Sequence, residues 1–272
     1  MSGLAGRRVL ITRDAEEAAR TAEAVAGRGG IPVVFPCIAF EAPADPEALR
    51  RAVARWREYD RVVVTSPRGA RVLLERLDRL GEWPEAAERG RFFAVGEATA
   101  RVLRRGGLRD VRVPGQWQGE GLLEALLADG AARGRTLLVR AEEGRDVVPD
   151  GIRAAGGAVD VVAAYRTVRV THSETAVEGL LAGTPPDLAL FFSPSAFDAF
   201  MAIGGASRVL EWLGTVRVVA VGAVTAGAME RAGVVPSAVA VRPVLEQVLD
   251  AAEEALSRGP SATMSADSGG NP

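Results

Sequence analysis

Short apolar runs alternate, along nearly the whole chain, with stretches in which apolar positions return at helical spacing. RVLIT, IPVVFP, DRVVVTS, RFFAV and DVRVP are the strand-like runs of the first half, and TLLVR, AVDVVAAYRTV, DLALFFS, VRVVAV and SAVAV continue the series in the second. Between them lie Ala-, Leu-, Arg- and Glu-rich segments such as DAEEAARTAEAVAG, PRGARVLLERL and GEGLLEALLADG. Apolar runs without polar alternation are strands covered on both faces, so the pattern predicts an α/β protein: parallel sheets with helices packed on them. Gly-Gly at 29–30, 106–107 and 156–157 follows three of the helical segments, where a left-handed residue would end them.

The pattern also repeats. VVVTSPRGARVLL is answered by ALFFSPSAFDAFM, which sets Ser66 beside Ser193, and FFAVGEATARVLRRGG by VVAVGAVTAGAMERAG, which sets Gly96 beside Gly222 and Thr99 beside Thr225. A weaker third match pairs Arg13 with Arg140 and Gly30 with Gly157. All share an offset of about 127 residues, the mark of a duplicated unit. Because the blocks recur in cyclic order, the halves are either sequential or one is inserted into the other. PCIAFEA and VAAYRTV each carry an apolar strand past its expected end, as two crossings between domains would, and favour insertion. The expected boundaries are 1–37 with 170–257 for one domain and 41–164 for the other. The small, polar, Gly/Ser-rich stretch 258–272 is expected to be a disordered tail.

Composition narrows the chemistry. A length of 272 residues, 48% of them hydrophobic and 25% charged, suits two globular domains. No apolar run approaches the roughly 20 residues that span a bilayer, and no signal-peptide apolar region opens the chain, so no membrane partner and a cytoplasmic location are expected. A formal net charge of −2 gives no sign of the broad basic surface of a nucleic-acid binder. All 33 basic residues are arginine, and the absence of lysine removes Schiff-base, pyridoxal-phosphate and P-loop chemistry together. His172, the single histidine, lies in the polar stretch VTHSETA and reads as a solvated loop residue. Cys37, the single cysteine, reads as a buried small hydrophobe. A two-histidine metal site and a Ser-His-Asp triad are disfavoured.

In a parallel α/β sheet, ligands bind beyond the carboxyl ends of the strands, where helix N-termini present unpaired amides. The repeated motifs fall there. Ser66-Pro67 and Ser193-Pro194, the latter followed by Ser195, are strong helix starts, and Gly96 and Gly222 follow strands with Thr99 and Thr225 in the first helical turn. One such motif alone is simply a well-capped helix; four on matching loops suit an anionic, carboxylate-bearing ligand. Arg13 and Arg140 end equivalent strands and Arg68 follows the Ser-Pro cap, each suited to grip a carboxylate, with a salt bridge to Asp14 or Glu142 as the plainer use. Tyr59 reads as a packing residue. Tyr165, at the second proposed crossing, is the tyrosine whose position suggests chemistry, its plainer reading being an amphipathic residue at a domain junction.

From about Arg8 to Leu256, the motifs TSP, AVGEATA, AYRT, FFSPSA and AVGAVTA, in this order, resemble the uroporphyrinogen-III synthases. The resemblance implies two similar flavodoxin-like domains joined by a two-stranded crossover, one inserted in the other, working as a monomer without cofactor. It implies a carbon–oxygen lyase that closes the linear tetrapyrrole hydroxymethylbilane, with loss of water and inversion of the last pyrrole ring. By that resemblance Tyr165 takes the place of the family's catalytic tyrosine, and Ser66, Thr99, Ser193 and Thr225 match cleft positions; together with the positional readings this makes Tyr165 and Thr225 the catalytic candidates, and Arg13, Ser66, Arg68, Gly96, Thr99, Arg140, Ser193, Ser195 and Gly222 the substrate-binding ones. Arg68 stands where many members have asparagine. The competing reading is a two-domain small-molecule binding or sensing protein without catalysis, against which the absence of an export signal and of an output domain both count.

Overall fold

A computed structural model describes residues 3–115 and 119–257; the expected tail, 258–272, lies outside them. The described residues fall into two compact units, one drawn from Met1–Ala39 and Val168–Pro272, the other from Phe40–Thr167. Eleven strands are described: β1 Arg8–Ile11, β2 Ile31–Val34, β3 Ile38–Glu41, β4 Arg61–Val64, β5 Arg91–Ala94, β6 Asp110–Arg112, β7 Arg135–Ala141, β8 Ala158–Arg169, β9 Leu188–Phe191, β10 Arg217–Val221 and β11 Ala238–Ala240. They form a five-stranded sheet in the order β11-β10-β9-β1-β2 and a six-stranded sheet in the order β3-β8-β7-β4-β5-β6. Every neighbouring pair of the first sheet is parallel, as are the pairs from β8 through β6 in the second.

Laid side by side, the two sheets match strand for strand: β11 with β6, β10 with β5, β9 with β4, β1 with β7 and β2 with β8. In the first unit the chain enters the repeat at β1; in the second it enters two strands later, at β4, the counterpart of β9, and returns to β7 and β8 at the end. This is the cyclic order of the repeat, in space. The second sheet adds β3, beside β8, and both of these strands run across the boundary between the units.

Alternation along buried strands feeds two cores in the second unit. Val62, Val64, Phe92, Ala94, Leu137 and Val139 face one layer, with Leu73, Leu77 and Leu103 of the overlying helices, while Val63, Phe93 and Leu138 face the other, with Leu122, Leu126 and Ile152. In the first unit Val9, Ile11, Leu188, Leu190 and Val219 pack against Val248, Leu249 and Ala252 of the helix Leu245–Ser257. Each Gly-Gly pair supplies one left-handed residue at a helix end, Gly29, Gly107 and Gly156.

Candidate functional site

At the carboxyl end of β4 the chain passes through Thr65 to Ser66, whose extended backbone (φ −152°, ψ 153°) caps the helix Pro67–Arg79. Its Oγ accepts the Gly69 amide at 3.0 Å, and Pro67 has no N–H to leave unpaired in the first turn. Tyr165, on β8, donates its hydroxyl to the same Ser66 Oγ at 3.1 Å. A serine oxygen has two acceptor positions, so both are filled and the Ser66 O–H is itself left as a donor.

A β-bulge aims Tyr165. The β7/β8 register runs Val139 with Val162 and Arg140 with Ala163, then jumps to Ala141 with Tyr165, so Ala164 is the extra residue. Such an insertion turns the following side chain away from the direction that plain alternation would give it. Ala164 points into the core at 6% exposure, and the half-buried Tyr165 ring packs along that core's rim. Phe40, on β3, meets the Tyr165 ring edge to face, centroids 5.3 Å apart at 85°. The Arg68 guanidinium lies over the Phe40 ring, 4.0 Å from its centre. Tyr165, Ser66, Phe40 and Arg68 thus form one cluster of hydroxyls, cation and aromatic face.

The other candidates of this unit take different places. Gly96 begins the helix Glu97–Arg105 in extended conformation, and Thr99 in its first turn faces inward, 2% exposed. Arg140 is held by its own loop, donating to the Arg145 carbonyl at 2.6 Å and pairing with Asp146 at 2.8 Å. Glu142, the partner suggested by sequence proximity, accepts the Ala44 amide instead.

The first unit repeats the frame with different decoration. Ser193 (φ −157°, ψ 156°) caps the helix Pro194–Gly204 by accepting the Ala196 amide at 3.2 Å, and its Oγ lies 3.0 Å from Ser195 Oγ. Thr225 is 2% exposed, as is its counterpart Thr99; a first-turn position facing the sheet buries both. Gly222 holds φ 81° and ψ 154°, a conformation closed to residues with a side chain. Arg13 lies over the Phe192 ring at 4.0 Å and pairs with Glu17 at 3.2 Å. Its Nε is buried without a hydrogen-bond partner, and burial lowers its pKa against the opposing pull of Glu17 and Asp14.

His172 differs from expectation: it is half-buried, stacked on Phe35 at 3.9 Å and 13°, with Nε2 2.8 Å from the Pro36 carbonyl oxygen. A flat ring beside a ring and a carbonyl gains both contacts by folding back, which the polar sequence around it does not announce. Cys37 is fully buried, and burial pushes its thiol up to about 12. Among the described residues no group of three or more His, Cys, Asp or Glu side chains is placed to hold a metal ion. Phe40 and Phe192, which carry the two arginines, are not candidates by sequence: Phe192 lies in FFSPSA, which stands out for its serines, and Phe40 in PCIAFEA, which stands out only as a long apolar strand.

Comparison with known proteins places this geometry. The family model HEM4, uroporphyrinogen-III synthase HemD, matches residues 19–250. A relative from Methanothermobacter thermautotrophicus, provisionally named a uroporphyrinogen-III synthase, is 33% identical over 232 residues, covering 83% of this chain and 90% of its own. A crystal structure of a mutant uroporphyrinogen III synthase from the extremely thermophilic bacterium Thermus thermophilus superimposes with a TM-score of 0.66 at 25% identity, over 93% of this chain and 99% of that one. The uroporphyrinogen-III synthetase of Helicobacter pylori 26695 shares the fold, with a TM-score of 0.60 at 18% identity over 92% and 99% of the two chains.

Proposed function

The chain belongs to the uroporphyrinogen-III synthase family, and from that membership we propose that it closes hydroxymethylbilane to uroporphyrinogen III in haem biosynthesis, with the cluster around Tyr165 as the place where the hydroxyl departs. The observation that carries this reading is the Tyr165 hydroxyl held on Ser66 Oγ at a strand's carboxyl end.

The reaction asks little covalent chemistry of the protein. The terminal hydroxyl leaves as water, the electron-rich pyrrole supplying the push and becoming an electrophilic azafulvene. The last pyrrole then attacks through its substituted carbon to give a spiro intermediate, which fragments and recloses with that ring inverted. What the chain must provide is a proton or hydrogen bond at the departing oxygen, a fixed fold of the substrate and exclusion of water. In this proposal Tyr165 turns its O–H from Ser66 to the leaving hydroxyl, and the Ser66 O–H serves as a second donor. Arg68, resting on Phe40, is the carboxylate ligand of this cluster. The two compact units and the matching strand orders support reading residues 41–164 as a domain inserted between 1–37 and 170–257.

The test is direct. Purified protein incubated with hydroxymethylbilane should yield the isomer with the inverted last ring, and Tyr165→Phe, which keeps the ring, should lose roughly 10²–10⁴ of the turnover with little change in Tm. Near-normal turnover of that variant would reject the role of the hydroxyl, and a ring closed only without inversion would reject the activity.

A further inference from the structure

Phe40 makes two contacts with the Tyr165 cluster and no hydrogen bond can come from its side chain. Its place is fixed by strand alternation. β3 lies beside β8, and Glu41 of the one pairs with Arg166 of the other at 2.7 Å. Neighbouring residues on a strand point to opposite faces, so Phe40 and Tyr165 share the face opposite that ion pair. There the Phe40 ring meets Tyr165 edge to face at 5.3 Å and receives the Arg68 guanidinium on its π face at 4.0 Å. Tyr165 comes from one strand, Arg68 from the first turn of a helix on another, and the Phe40 ring is the surface that both touch.

We infer that Phe40 is a positioning residue: its ring fixes the tilt of Tyr165, so that the hydroxyl stays on Ser66, and its π face braces the Arg68 guanidinium beside it. The geometry supplies the reason. A phenol with one hydrogen bond to a serine can still swing about its Cα–Cβ bond, and the β-bulge at Ala164 gives Tyr165 a direction without clamping the ring. An aromatic wall at 85° supplies the clamp. The Arg68 guanidinium rests on that same ring, 4.0 Å from its centre, so one side chain braces both groups. A pre-oriented pair loses less freedom when an anionic substrate arrives, and a displacement of about 1 Å in such a group can cost 10²-fold in rate.

This inference rests on the proposed role of Tyr165, and its test separates the two. The chain has two tyrosines, so protein made with 3-fluorotyrosine should give two fluorine resonances, assigned by Tyr59→Phe. Phe40→Leu should shift and broaden the Tyr165 resonance while leaving that of Tyr59 in place, whereas Phe40→Tyr, which keeps a ring and adds a third resonance of its own, should leave the Tyr165 line sharp. This arm uses no substrate. In turnover, Phe40→Leu should lower kcat by roughly tenfold to 10²-fold and raise KM through Arg68. In a Tyr165→Phe background the same substitution should leave kcat unchanged, because the group it positions is gone. An unmoved Tyr165 resonance, or an equal kcat loss in both backgrounds, would overturn the inference; so would a Phe40→Tyr variant as impaired as Phe40→Leu. Near-normal turnover of Tyr165→Phe alone would instead reject the catalytic reading, and with it any catalytic consequence of Phe40, while the resonance would still report whether the ring is held.

Discussion

The two units share a strand order, their capping serines and their buried first-turn threonines, and differ in what else they bury. The first residue of β9 is Leu188, fully buried among apolar neighbours. Its counterpart on β4 is Arg61, 4% exposed, whose guanidinium reaches Asp129 at 3.4 Å, the Asp129 carbonyl at 3.1 Å and Thr136 at 3.4 Å. One frame therefore tolerates a leucine or an ion pair at the same depth. The lesson is that the duplicated unit is specified by its strands and caps, whereas its chemistry is added afterwards and separately in each copy.

The strongest way to break that comparison is at this position. Asp129→Ala should destabilise the protein by about 3–5 kcal/mol, because a buried arginine is left without its counter-charge. Adding Arg61→Leu, which copies the first unit, should recover most of the loss, since removing both charges of a buried pair is often nearly neutral. Urea unfolding of both variants measures this; a double variant no better than the single one would mean that the two frames are not interchangeable here.

Next in size is the pair Gly96 and Gly222, equivalent in the repeat and both with nothing within 4 Å of a hypothetical Cβ. Space is equal, so only the backbone differs. Gly222→Ser places a side chain at φ 81° and ψ 154° and should cost about 1–3 kcal/mol. Gly96→Ser, at φ −165°, should be neutral or stabilising by about a few tenths of a kcal/mol, because serine adds a side-chain cap where glycine is already tolerated. Equal effects in thermal unfolding would contradict this account.

These positions also show how much was legible beforehand. Ser66 and Ser193 stood out because a Ser-Pro step after an apolar run has one local meaning, and the structure finds both serines capping as that step requires. The strands, the repeat and the buried Cys37 were equally local or periodic. Arg61 was hidden: RVVV reads as a strand whether its arginine is exposed or paired inside, since Asp129 lies 68 positions away. Phe40 and Tyr165 meet across a strand pairing, and the bulge at Ala164 that turns Tyr165 leaves no mark in AVDVVAAYRTV. The candidates Arg13 and Arg140 were found as residues but not as environments. One came to rest on a phenylalanine and the other in its own loop, a difference decided by Phe192 and Asp146.

The smallest effect concerns Tyr59, which sits where the first unit has Pro186. Burial first, then the hydrogen bond to Asp160 at 2.6 Å, raises its pKa from 10.0 to about 12. A phenol whose pKa is raised on folding contributes stability that is complete below pH 10 and lost as the pH climbs through 12. Stability should therefore fall more steeply over that window in the unaltered protein than in Tyr59→Phe. The thiol of Cys37 also titrates there but is common to both and cancels. Parallel urea-unfolding curves from about pH 9 to about pH 12 would refute the assignment.

The split of the first unit has a consequence in time. Contacts between β1 and the segment around β9 join residues 178 and 179 positions apart, whereas β3 through β8 find all their sheet neighbours within the stretch between them. At a synthesis rate of roughly 5–20 residues per second, a newly made β1 waits on the order of ten to forty seconds for β9 to be translated. Throughout that interval Val9, Leu10 and Ile11, which end fully buried, lack the strand that will cover them. The growing chain is then most open to chaperones and to aggregation around β1, and the segment that carries β9 to β11 is what closes its sheet.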